Sequence, residues 1–84
     1  MRHARTEDLD RIEPVLVQLR GIEGLTEKSR GVFYRRSRAC LHFHADGDDI
    51  CADVRLSGDD FERTRTTTKT EQRALLAAVR RALA

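Results

Sequence analysis

Residues 38–56 read Arg-Ala-Cys-Leu-His-Phe-His-Ala-Asp-Gly-Asp-Asp-Ile-Cys-Ala-Asp-Val-Arg-Leu. The stretch predicts two strands folded around Asp46-Gly47, a dipeptide suited to a two-residue type I′ turn. Strict alternation sorts the side chains onto two faces. Leu41, Phe43, Ile50, Ala52, Val54 and Leu56 share one, a core face. Cys40, His42, His44, Cys51, Asp53 and Arg55 share the other, which gathers most of the chain's unusual chemistry. With that turn, Cys51 stands opposite His42 and Cys40 opposite Asp53. The thiols are then diagonal neighbours about 7–8 Å apart, beyond comfortable disulfide reach.

Outward from the hairpin, the other elements follow from spacing and caps. Val32-Phe33-Tyr34-Arg35 starts the sheet, with Val32 and Tyr34 on the core face and Phe33 on the His/Cys face. A turn at Arg36-Ser37 leads into the hairpin. Residues 61–66 offer a short fourth strand, and residues 21–31, with three glycines, read as a connection. Upstream, Thr6 or Asp8 caps a helix running to about Arg20, with Leu9, Ile12, Leu16 and Leu19 as its apolar stripe. Pro14 removes one backbone donor, so this helix bends or starts late. Residues 1–5 read as a loose tail. Downstream, Thr68-Lys69-Thr70-Glu71 matches a capping box. Leu75, Leu76, Val79 and Leu83 give the last helix its buried stripe. The fold class expected is α+β: helix, three- or four-stranded antiparallel meander, helix, with both helices on one sheet face.

Eighty-four residues make one domain, residues 1–84, near the lower limit for a self-sufficient core. Hydrophobic residues are 39% and charged residues 36%, with three Phe, one Tyr and no Trp, so the core is mostly aliphatic. A net charge of +2 does not by itself call for a nucleic-acid partner. Residues 1–56 carry ten bases and ten acids, whereas residues 57–84 carry six and four, so the excess lies in the last third. Fourteen of the sixteen bases are Arg, a usage that fits a high-GC bacterial genome. No apolar run approaches the ~18 residues of a membrane helix. The Met-Arg-His-Ala-Arg-Thr-Glu-Asp start lacks an apolar signal region, so cytoplasmic residence with reduced thiols is expected.

The strongest chemical candidate is a metal site. Cys40-x-His42-x-His44 places three donors on one side of a strand, and Cys51, Asp53 and Asp49 stand on its neighbour. Imidazole and thiolate both suit zinc. The same residues are also acceptable on a half-exposed sheet face. A nucleophilic Cys51 with His42 as base is a weaker reading, since no oxyanion loop stands at mid-sheet. Asp46-Gly47-Asp48-Asp49 lacks the rest of a calcium loop and reads better as a turn. Arg35, Arg36 and Arg38 at one hairpin tip, with Arg63 and Arg65 further on, are candidate nucleic-acid contacts through phosphate. A solvated turn explains them better.

The order helix, three strands, helix resembles the double-stranded-RNA-binding domain. Thr68-Lys69-Thr70-Glu71 stands where that family starts its second helix with a lysine cluster, of which only Lys69 is present. Arg36-Ser37-Arg38 replaces the family's Gly-Pro-x-His turn, so the resemblance is topological and implies no RNA contacts. Residues 9–83 are similar to small uncharacterised bacterial α+β proteins. That likeness rests on Gly31-Val-Phe-Tyr-Arg, Leu41-His-Phe-His, Ala52-Asp-Val-Arg and Glu71-Gln. It implies a compact α+β fold and a bacterial origin, and it supplies no activity and no site residues.

These readings favour a binding or interaction module over an enzyme. A small domain gains most by covering an open sheet face, so self-association as a homodimer through the His/Cys face leads. Metal or small-ligand binding on that face comes second, and nucleic-acid binding through the Arg clusters third. No cofactor is expected unless the face holds zinc.

Overall fold

The computed structural model describes residues 2–84. The order is β1 (Arg2–His3), α1 (Thr6–Arg11), α2 (Glu13–Arg20), β2 (Thr26–Ser29), β3 (Val32–Arg35), β4 (Arg38–Asp46), β5 (Asp49–Val54), β6 (Glu62–Arg65) and α3 (Lys69–Leu83). The class is α+β, and the antiparallel sheet has six strands in place of the expected three or four. β2 to β6 lie side by side in sequence order, and β1 pairs with the C-terminal half of β4. The expected loose tail is thus tied down at Arg2 and His3, which face Ala45 and His44. A two-residue strand leaves no periodicity to read. β2, Thr-Glu-Lys-Ser, is polar throughout and lies where a connection was expected.

The central hairpin pairs Leu41 with Val54, His42 with Asp53, Phe43 with Ala52 and His44 with Cys51. The loop is Gly47-Asp48, one residue later than expected, because Asp46 pairs with Asp49. Gly47 takes φ +61° while Asp48 stays out of the left-handed region. That pattern, glycine first, belongs to a type II′ turn. The change moves each pairing by two positions, so the paired residues 41–46 and 49–54 keep their faces while their partners change. The turn at Arg36-Ser37 carries two positive φ values, 53° and 69°, as a type I′ turn requires.

Between β3 and β4 a bulge interrupts the alternation. Phe33 faces Leu41, but Tyr34 faces Ala39, leaving Cys40 as the extra residue. Phe33 is therefore fully buried, and Val32 and Tyr34 are only half-buried, the reverse of the expected assignment. Cys40 also leaves the His face. It is buried with the core cluster, its thiol 3.5 Å from the Phe33 carbonyl. Both cysteines are free thiols.

The first helix is broken at Ile12, which ends α1 and starts α2. Pro14 then falls in the first turn of α2, where a missing N–H is no loss. Asp8 sits inside α1 and accepts from the Arg5 N–H at 2.9 Å and from Arg2 Nη1 at 2.7 Å. The capping box of α3 forms as expected, with Glu71 N–H donating to Thr68 Oγ1 at 3.1 Å and Thr68 N–H to Glu71 Oε1 at 2.9 Å. Leu9, Ile12, Leu16 and Leu19 of the first two helices, with Leu75, Leu76 and Val79 of α3, bury against Phe33, Leu41, Phe43, Ile50 and Ala52. The helices thus cover one sheet face, and the opposite face carries the histidines. No helix among the described residues is long and apolar enough to cross a membrane.

Candidate functional site

Two cross-strand rows build the outer face. His3 of β1, His44 of β4, Cys51 of β5 and Arg65 of β6 form one. His42, Asp53 and Arg63 form the next. Asp53 is the hub. Its carboxylate accepts two bonds from Arg63, Nε to Oδ1 at 2.7 Å and Nη2 to Oδ2 at 3.0 Å. Diagonally, His44 Nε2 lies 2.9 Å from Asp53 Oδ2, and His42 Nε2 lies 3.6 Å from the same oxygen. Arg63 holds the Asp53 carboxyl below its ordinary value, against an opposing push from burial. The carboxylate therefore stays charged in a site where its side chain is only 9% exposed.

The three imidazoles touch through their rings. His3 stacks on His44 with centroids 4.8 Å apart, and His42 meets His44 edge-on at 4.9 Å. Phe61, in the connection before β6, closes the other side of His42 at 5.0 Å. Arg55 lies over the Phe61 ring at 4.4 Å. Both ring nitrogens of His42 are buried and neither has a hydrogen-bond partner. Burial pushes the His42 imidazole below its ordinary value, helped by the nearby His44, so it is neutral at physiological pH. A neutral imidazole has a free lone pair.

Of the expected ligands, His42 and His44 come together, and Asp53 joins them. One donor atom from each lies within 4.8 Å of the others. Cys51 stands beside His44 but outside that group. Its thiol is pushed up by burial and is protonated at neutral pH. Cys40 is in the core at the bulge. The expected Cys51–His42 pair does not form: His42 faces Asp53, and Cys51 faces His44. Asp49 at the hairpin accepts from Thr67 Oγ1 at 3.0 Å, a turn-and-strand role. Arg63 and Arg65 are engaged with Asp53 and Asp49, whereas Arg35, Arg36 and Arg38 cluster at the β3–β4 turn. The alternation rule could not find His3, because its place depends on a two-residue strand pairing with distant sequence. Among known proteins, no family model, no curated protein and no solved structure matches the chain.

Proposed function

We propose that the protein binds a divalent transition-metal ion, zinc foremost, through His42, His44 and Asp53. The observation that carries this reading is the pair of partnerless, buried nitrogens on His42. A buried polar atom left unsatisfied costs roughly 1–3 kcal/mol, and a bound ion satisfies one of them. The spacing supports it. Ligands about 2.1 Å from a tetrahedral ion stand about 3.4 Å from one another. The two imidazole-to-carboxylate distances, 2.9 and 3.6 Å, bracket that value. Arg63 orients the carboxylate through both oxygens, Oδ1 at 2.7 Å and Oδ2 at 3.0 Å, and Oδ2, the oxygen both imidazoles approach, is the one that turns to the ion. His44 exchanges its 2.9 Å approach to Asp53 Oδ2 for the ion, and its ring is held in place by the stacked His3.

Self-association through the same face has less behind it. The face is filled by imidazole, carboxylate and guanidinium groups. Phe61, at 39% exposure, is the one exposed large hydrophobic beside it, far short of an apolar patch.

The test is native mass spectrometry and calorimetry of chelator-stripped protein titrated with Zn²⁺, with Co²⁺ as an optical reporter of coordination. One ion per chain is expected, with loss of binding in His42→Ala and His44→Ala and no change in Cys40→Ser. A protein that holds no ion at micromolar metal, or that holds it equally well without His42, rules the reading out. A metal-free dimer dissociating on dilution supports the interface reading instead.

A further inference from the structure

At the opposite end of β4 from the histidine cluster, between the β3–β4 turn and the start of the β5–β6 connection, lies a pocket of about 210 Å³. Arg35, Arg36, Arg38 and Arg55 all line it, with Cys40 and Leu56 among the remaining walls. No carboxylate lines it. Only Arg38 has an acidic partner, Asp59 at 3.0 Å, and that carboxylate is 92% exposed. An ion pair so open to water is readily exchanged for another anion.

Arg55 is held in place before any ligand arrives. Its Nη2 donates to the Ala39 carbonyl at 2.6 Å, and its guanidinium rests on Phe61. Its Nε is buried and has no partner. The other three arginines are gathered by a turn whose two central residues, Arg36 and Ser37, both have left-handed φ without being glycine. Such backbone conformations cost about 1–2 kcal/mol per residue and cluster where a site has to be held in one shape. Four guanidinium groups gathered around one exposed counter-charge, Asp59, with Glu23 only in the adjoining cleft, repel one another, and that repulsion is relieved by a multiply charged anion.

We propose that this pocket binds a dianionic phosphate group, either free phosphate or the terminal phosphate of a small phosphomonoester. Guanidinium groups match phosphate oxygens in forked pairs. The pocket is on the scale of one phosphate with a few atoms attached. A phosphodiester inside a nucleic-acid strand carries one charge, so it relieves the repulsion among the four guanidinium groups less well than a dianion does. This inference is independent of the metal site.

The test is calorimetric titration of chelator-stripped protein at low salt with inorganic phosphate, with ribose 5-phosphate and with a short RNA duplex. Binding of phosphate or the ester is expected, weakened about tenfold in Arg36→Gln and in Arg38→Gln, since each removes one charged donor. Tighter binding of the ester identifies a monoester ligand, and equal binding identifies free phosphate. The wider cleft between α2 and α3 also carries cations, Arg11, Lys69, Arg73 and Arg80 among them. Arg73→Gln is therefore the control and is expected to bind normally. Loss in that control equal to the loss in Arg36→Gln, binding of the duplex alone, or no binding at millimolar phosphate overturns the proposal.

Discussion

Gly31 and Gly47 both have positive φ, +80° and +61°, but their surroundings differ. A Cβ at Gly47 meets nothing within 4 Å, so alanine there carries only the left-handed strain, about 1 kcal/mol. A Cβ at Gly31 meets Leu9 Cδ2 at 2.8 Å, inside the contact that joins α1 to the β2–β3 turn. Leu9 belongs to the core cluster, where close packing resists a shift of its side chain. Gly31→Ala is expected to cost about 2–3 kcal/mol, the strain plus the overpacking. Urea unfolding of both variants, with unchanged slopes, checks this. Equal midpoints for the two would mean that Leu9 moves aside freely. The histidine face shows the same dependence on neighbours. His42 and Asp53 face each other on one sheet surface, yet Asp53 has all its needs met by Arg63 and His44 while His42 has none.

The last helix carries its instructions locally. Thr68 and Glu71 close the N-terminus reciprocally, and Gln72 Nε2 reaches back to the Thr66 and Thr67 carbonyls at 3.1 and 3.3 Å. Thr68→Ala is expected to lower stability by about 1 kcal/mol, while Thr70→Ala, one turn-position on and outside the cap, changes it little. Thermal unfolding of the pair distinguishes them, and equal losses would show that the box adds nothing. Such local signals made α3 and the two faces of the hairpin legible, because a capping box and a period of two are written within a few residues. The rest depended on contacts between distant residues. The bulge at Cys40 answers to Phe33 in another strand, and it moved one expected ligand into the core and reversed the faces of Val32, Phe33 and Tyr34. Pro14 signalled a disturbance in the first helix, but where the chain breaks, at Ile12, follows from burying that residue. Of the candidate site, His42 and His44 were readable from alternation. His3, and Arg63 as the partner of Asp53, became visible only when β1 and β6 were in place.

At the scale of the molecule, the helical layer is fastened to the sheet by ion pairs as well as by the core. Arg20 of α2 spans Glu13 and Glu27, each at 2.6 Å, and so links α2 to β2. Arg30, in the β2–β3 turn, returns to Asp10 and Glu13, both at 2.9 Å. Arg20, then Arg30, hold the Glu13 carboxyl below its ordinary value. Burial pushes Glu27 up, but Arg20 and the Gly31 N–H outweigh it and leave Glu27 below its ordinary value too. A carboxyl lowered in the folded state binds its proton first in the unfolded chain. Its contribution is therefore intact above the ordinary value of 4.5 and is lost as pH falls through the folded value. The contribution of these two glutamates should be level between neutral pH and about 5 and fall below about 4.5, on top of a loss that begins nearer 6.5, because burial holds His42 neutral in the folded protein. Arg20→Gln removes the shared partner of both glutamates. This variant is expected to be less stable than the parent at neutral pH and to lose less on acidification. The gap between the two proteins should therefore narrow as pH falls below 4.5 and through the lower folded-state values of the two glutamates. Urea midpoints at neutral and acid pH measure the gap directly. A gap that stays constant across this range would mean that Arg20 contributes through packing of its stem and not through its charge.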